Sequence, residues 1–367
     1  MKSSILRCSL LAVACLVTTP LALAGDSATL HVPAQFARIQ AAIDVAQPGD
    51  TVIVADGVYS GLGNRNLRFE GKAITLRSAN GPEFTTINVQ GTPTEPHRGF
   101  LFNSSETRET VLEGFTITGG ATLPGAVADQ FNGGAVRIQA ASPTIRNCHF
   151  VGNQAGCWGA AVYVGDATEL GSGVSNPLIE NCLFLNNAAD DEGGGFFSWG
   201  FGLGSSTTIR NSVFMGNSAG TSGGGICTFG GTNLVLENVT ITNNVAPTSA
   251  NALLGETTVT HSILWTDGAD AGMTVWGQNS FTYSMVKGGM TGVGNVDVDP
   301  LFAVDGFHLL AVSPLVNAGL KVSPAAVAGQ TDIDGQPRQV GSKLDIGADE
   351  VTRGHRYVTT PGPMIKN

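Results

Sequence analysis

Asp190, Asp191 and Glu192 stand side by side immediately before Gly193. Three carboxylates on one rim supply the oxygen ligands that a hard cation such as Ca2+ takes. A carboxylate pair set roughly 5–10 Å apart can also hydrolyse a glycosidic bond. A solvated acidic turn has the same sequence, so the run marks a candidate and not yet a site. A second group follows a neighbouring segment: Asp166 and Glu169 in one long loop, Trp199 and Phe201 in the next, with Arg137 preceding both. Aromatic faces beside charged anchors suit the stacking and orientation of a sugar ring. Trp199 and Phe201 would equally serve to cover a sheet edge.

Other polar residues carry less. His149 and His261 have no neighbouring partner in sequence and read as surface residues. Asp332-Ile333-Asp334-Gly335 begins like a calcium loop but lacks its remaining ligands and closing Glu. Asp332, Arg338, Asp345 and Glu350 are expected to form a polar network that seals the C-terminal end. Four cysteines lie beyond residue 24, at 148, 157, 182 and 227, without a CxxC zinc spacing.

What must position these residues is a repeat. Thr144–Asn153, Leu178–Asn187, Thr208–Asn217 and Val235–Asn244 share one pattern, typified by TIRNCHFVGN, and Val111–Ile117 is a weaker copy. Gly/Ala triplets follow at 133–135, 159–161, 193–195 and 223–225. Equivalent asparagines are spaced 34, 30 and 27 residues apart, so short constant strands alternate with one elastic loop. A unit of that size cannot bury its own apolar face and must stack on copies of itself. With β-strands the result is an all-β solenoid whose coils rise by ~4.8 Å.

Stacking makes columns. Ile145, Ile179, Ile209 and Leu236 should point inward, as should Phe150, Phe184, Phe214 and Ile241. Asn147, Asn181, Asn211 and Asn238 should share a turn, where Asn tolerates left-handed backbone and its amide can bond the amide above and below. Glu113, Arg146, Glu180, Arg210 and Glu237 should form an exposed ladder of alternating sign. Cys148 and Cys182 should be buried neighbours, read as free thiols. Aligned on the glycine triplets, Trp158 falls one coil before Glu192, and Asp129 two coils before.

Composition agrees. Of 367 residues, 50 are glycine, 42% are apolar and only 13% are charged. Low charge excludes a coiled coil or a disordered acidic chain. A formal charge of −10 with no Lys/Arg cluster excludes a nucleic-acid binder.

Residues 1–24 have the form of a signal peptide, with Lys2 and Arg7, an apolar run over Leu10–Val17, and a small-x-small cleavage site at Ala22–Ala24. A secreted or cell-envelope protein cleaved near Ala24 is therefore expected. No stretch approaches the ~18 apolar residues of a membrane span. The expected organisation is a cap and first coil over 25–60, coils over 61–296, a closing block over 297–351 and a tail over 352–367. Phe36, Ile39, Ile43 and Ala46 have helical spacing and place a short capping helix in the first of these.

HVPAQFARIQAAIDVAQPGDTVIVADGVYSG resembles the N-terminal cap of pectin-lyase-like right-handed parallel β-helix proteins. The FxxN and GGA-type repeats resemble those of right-handed β-helix region proteins and of chlamydial autotransporter passengers. The tail, from Asp299-Pro300-Leu301-Phe302 through TDIDGQPRQVGSKLDIGADE, resembles the closing block of secreted choice-of-anchor Q proteins. The resemblance implies a right-handed, single-stranded parallel β-helix with a short N-terminal capping helix. It also implies polysaccharide as the partner, by binding or by lyase- or hydrolase-like cleavage. If that glycan is acidic, the carboxylate run Asp190, Asp191 and Glu192 is the candidate Ca2+ site. The alternative is a non-catalytic adhesion solenoid that meets a cell-surface macromolecule. The catalytic motifs of pectate lyase, polygalacturonase and pectin methylesterase are absent, so no catalytic residue carries over. The chain is expected to be a monomer.

Overall fold

The computed structural model describes residues 27–125, 131–165, 173–200, 204–266 and 275–352. Within them the chain winds through three long parallel sheets of ten, nine and eight strands, with a short fourth sheet of three. One coil shows the order. Thr144–Arg146 joins the first sheet, His149–Val151 the second, Gln154–Ala155 the short one and Val162–Gly165 the third. Leu178–Glu180 then returns to the first sheet beside Thr144–Arg146. The molecule is a parallel β-helix.

The inward columns stand as the repeats imply. Ile145, Ile179, Ile209 and Leu236 are successive register partners, continued by Val259 and Phe281. Phe150, Phe184 and Phe214 stack in turn, with ring centroids 4.9 and 4.1 Å apart. All are fully buried or nearly so. Burial of such side chains stabilises by about 1.5–3 kcal/mol each, so the bore supplies most of the folding drive.

The asparagines divide their work differently from the expectation. Asn147, Asn181, Asn211 and Asn238 do take left-handed backbone, with φ between 49° and 53°. The amide ladder, however, runs through Asn153, Asn187, Asn217 and Asn244. Each of the first three donates its Nδ2 to the next Oδ1 at 2.9–3.0 Å, and each Oδ1 also accepts the preceding asparagine's backbone N–H. These four lie at 0–2% exposure, where an unpaired amide costs most. The glycine triplets are equally structural. Gly193 has φ +67°, and a Cβ on Gly194 would lie 2.3 Å from the Ser218 carbonyl oxygen.

The charge ladder forms pairs. Arg146 reaches back to Glu113 at 2.8 Å and Arg210 to Glu180 at 2.6 Å. These side chains are half-buried, not exposed, because Gly329–Thr331 lies across them and encloses a polar cavity of about 360 Å³. Cys148, Cys157, Cys182 and Cys227 are buried free thiols.

The ends close in distinct ways. Helix Ile39–Val45 buries Ile39, Ala42 and Ile43 against the first coil. Its ends are satisfied from later chain: Asn64 Oδ1 accepts the Ile39 N–H at 3.0 Å, and Lys72 Nζ bonds the carbonyls of Ile43 and Asp44. At the other end Met290 packs on the core, and Asn295 bonds the Phe281 carbonyl and the Ser284 N–H.

The C-terminal block does not seal that end. It folds back along the flank, bonding Asn181 through Thr331, Thr240 through Ala348, and His261 through Leu320 and Gly347. Its expected polar network exists. Arg338, 1% exposed, donates to the carbonyls of Asp345, Gly347 and Ala348, while Asp332, Asp345 and Glu350 accept backbone N–H groups. His261 is correspondingly no free surface residue. It occupies the left-handed turn column at φ 48°, and its Nε2 accepts the Leu320 N–H.

Candidate functional site

Asp190–Glu192 lies between the short sheet and Gly193, locked to the previous coil. The Asp190 N–H bonds the Ala155 carbonyl, the Asp191 N–H the Cys157 carbonyl, and Glu192 pairs with Trp158 as a parallel bridge. The alignment on glycine triplets therefore gives the observed register. The side chains diverge. Asp190 is exposed, whereas Asp191 and Glu192 are half-buried. Asp191 Oδ2 accepts the indole N–H of Trp158 at 3.1 Å, and its Oδ1 accepts the Thr221 hydroxyl at 2.8 Å. Burial, then the neighbouring Asp191 charge, pushes the Glu192 carboxyl up to about 7. Asp190, Asp191 and Glu192 are not a converging metal-ligand trio. Among the described residues, the group that brings three such atoms within 4.8 Å of one another is His308, Asp334 and Asp349.

Trp158 is not the exposed stacking platform its place in a loop suggests. It is 7% exposed and lies flat on Phe197, with centroids 4.9 Å apart and planes 4° from parallel. Trp199 closes the strand Phe196–Trp199, is half-buried, and tilts against Trp158 at 4.6 Å. Arg137 is buried on the strand Val136–Gln139, with Nη2 2.5 Å from Gln139 Oε1. It is the register partner of Tyr163, which is in turn the partner of Phe197, and Phe197 of Cys227.

One face thus gathers Arg137, Tyr163, Phe197 and Trp199 on the outside of the third sheet, with Trp158, Asp191 and Glu192 along its edge. It forms a second apolar cluster separate from the bore, joined by Cys157, Cys227 and Leu254. Tyr163, Phe197 and Thr221 were not singled out from sequence. Period-two alternation would have found the first two, since each follows an inward residue, Val162 or Phe196. Asp129, Asp166, Glu169 and Phe201 lie outside the described residues.

The arrangement offers two carboxyl groups of different character. Asp191 is an acceptor engaged by two donors, and Glu192 holds a proton over part of the neutral range. Such unlike neighbours suit acid–base chemistry.

No curated protein matches the sequence. A crystal structure of pectate lyase Pel9A superposes with a TM-score of 0.42 and 15% identity, covering 85% of this chain and 90% of the other. No helix among the described residues is long and apolar enough to cross a membrane. Residues 64–284 match the family described as right handed beta helix region, and with more than half its length so matched and three parallel sheets wound through those coils, the chain belongs to that family.

Proposed function

We propose that this right-handed β-helix protein is exported and polysaccharide-associated, and that it meets its glycan at the edge formed by Trp158, Asp191 and Glu192. The observation that carries the reading is the Asp191 carboxylate, held by Trp158 and Thr221 beside a Glu192 carboxyl raised to about 7. Packing alone does not call for this pair, since Ser222 fills the position of Glu192 in the next coil. Residues of this kind on a rigid scaffold are where binding and catalysis concentrate. Asp191 would accept sugar hydroxyls, Glu192 would donate or take a proton, and the half-buried Trp199 offers the aromatic face nearest that edge. The leader-like residues 1–24 and the resemblance of the C-terminal block to choice-of-anchor Q proteins support export to the envelope or beyond.

The mutual burial of Trp158, Tyr163 and Phe197 favours a second reading, a non-catalytic surface solenoid whose aromatics only hold the third sheet's outer face together. A polysaccharide panel, neutral and acidic, with and without Ca2+, separates the two. Binding should be scored together with the release of reducing or unsaturated ends. Under the first reading D191N and E192Q lose glycan binding at least tenfold while melting stays cooperative. Wild-type protein that binds no glycan, or variants that bind as well as wild type, leaves the surface-solenoid reading standing.

A further inference from the structure

Three separated segments of the C-terminal block bring one side chain each to a common point. His308, Asp334 and Asp349 place an imidazole nitrogen and two carboxylate oxygens within 4.8 Å of one another. His308 Nε2 and Asp334 Oδ1 are 3.1 Å apart. The support for each residue is built in. Asp305 Oδ2 sits 2.7 Å from His308 Nδ1, and Asp305 Oδ1 accepts the N–H groups of Phe307 and His308. Asp349 Oδ2 accepts the Leu309 N–H, which ties the irregular segment carrying Asp349 to the residue after His308. Asp332 Oδ1 accepts the N–H groups of Asp334 and Gln336 and so fixes the turn that presents Asp334. The calcium-loop-like opening at 332–335 thus divides into a buried turn-former and an outward carboxylate.

This is more than an acidic cluster, for two geometric reasons. Two ligand atoms each about 2.1 Å from one ion, at octahedral or tetrahedral angles, lie roughly 3.0–3.4 Å apart. The His308–Asp334 separation already falls in that range. An imidazole whose far nitrogen is held by a carboxylate is also the outer-shell pattern of metal-ligating histidine, because it fixes the tautomer and aims the other lone pair. His308 is ion-paired through both ring nitrogens, to Asp305 and Asp334, and a dication would displace the Nε2 proton and draw on Asp349 as well. The ligand set selects the ion. Imidazole suits Zn2+ and its transition-metal neighbours, while Ca2+ and Mg2+ take oxygen. His308 and Asp349 are buried and Asp334 is exposed, so one side stays open for water to complete the shell.

We propose that His308, Asp334 and Asp349 form a divalent transition-metal site of the Zn2+ class, with Asp305 as the residue that positions the imidazole. The ion would clasp three segments, 305–309, 332–336 and 349–350, that fold back along the solenoid flank.

The test uses the full purified chain, stripped with EDTA and titrated with ZnCl2 by calorimetry, with melting followed in parallel. One Zn2+ per chain should bind, and the melting temperature should rise by several degrees. Co2+ in its place should give visible d–d bands of a nitrogen–oxygen shell. H308Q and D334N should each weaken binding at least tenfold, and D191N should leave it unchanged. Because Asp334 is exposed, D334N keeps the fold even if H308Q does not, so it decides the matter alone if necessary. Absence of Zn2+ binding, or binding retained in D334N, overturns the site.

Discussion

Trp158 donates its indole N–H to the Asp191 carboxylate across one coil of the solenoid, with 3.1 Å between Nε1 and Oδ2. The bond joins the apolar cluster outside the third sheet to the acidic edge, since the same ring lies flat on Phe197. W158F keeps most of the ring and removes the donor. A hydrogen bond to a charged group is worth about 1.5–3 kcal/mol, and half-burial of Asp191 places this one toward the lower end. Denaturant unfolding of W158F should therefore show a loss of about 1–2 kcal/mol. W158A also empties the cluster and should lose ~3–5 kcal/mol. No loss in W158F would mean that the bond contributes nothing, and equal losses in the two variants would mean that the ring's packing contributes nothing.

Glu192 gives the edge a pH signature. Burial, then Asp191, raises its carboxyl from the ordinary 4.5 to about 7 in the folded chain. Between those values the native state holds a proton that the unfolded chain has released. Its contribution to stability is present below about 4.5 and is lost as pH rises through 7. E192Q stays neutral throughout. The melting temperatures of E192Q and wild type should agree near pH 4.5 and diverge above pH 7, with E192Q the higher. A difference that does not change across this range would mean that Glu192 titrates normally.

The two asparagine columns should respond to substitution with very different magnitudes. Asn187 has partners on both sides: it donates to the Phe150 carbonyl and Asn217 Oδ1, and it accepts from Asn153. N187A leaves several buried groups unpaired at about 1–3 kcal/mol each, so a loss of at least ~3 kcal/mol is expected. Asn147 holds φ 51° on the turn. N147G adopts that angle without strain and should shift stability by less than ~1 kcal/mol. Chemical denaturation of the pair checks both values, and an equal cost in the two columns would contradict the assigned division.

That division shows where sequence reading reaches and where it stops. Ile145, Ile179 and Ile209 were legible because inward positions repeat in type as well as spacing, and stacking admits one register for them. Asn147 and Asn153 are the same residue six positions apart. Only backbone direction decides which amide points into the wall and which turns the chain. Trp158 read as a loop aromatic because its cover, Phe197, comes from the next coil and its bond partner, Asp191, from the same coil as Phe197. The flank position of the C-terminal block was hidden for a related reason. Asn181 and Thr331 are 150 residues apart, and nothing in either segment names the other. Local pattern specified the scaffold, while the site depends on contacts between coils.

His261 connects that block to the solenoid and should make the contact acid-sensitive. Burial, then the Arg338 charge, lowers its imidazole from 6.5 to about 4. The neutral ring is the form that bonds, because Nε2 must accept the Leu320 N–H. Between pH 6.5 and 4 the unfolded chain takes a proton that the folded chain refuses. The stabilisation is whole above 6.5 and disappears as pH falls toward 4. H261N retains a residue that tolerates the left-handed turn, as at Asn238 one coil earlier, but it does not titrate. Wild type should melt above H261N at pH 7.5, and the gap should close steadily on acidification to pH 4. Hydrogen exchange locates the effect: the Leu320 amide, which bonds the ring, should lose protection with acid in wild type and show little protection at any pH in H261N, while the Gly347 amide, which bonds the backbone carbonyl of residue 261, serves as the reference. A gap in melting temperature that stays constant with pH would show that His261 acts only through its backbone conformation.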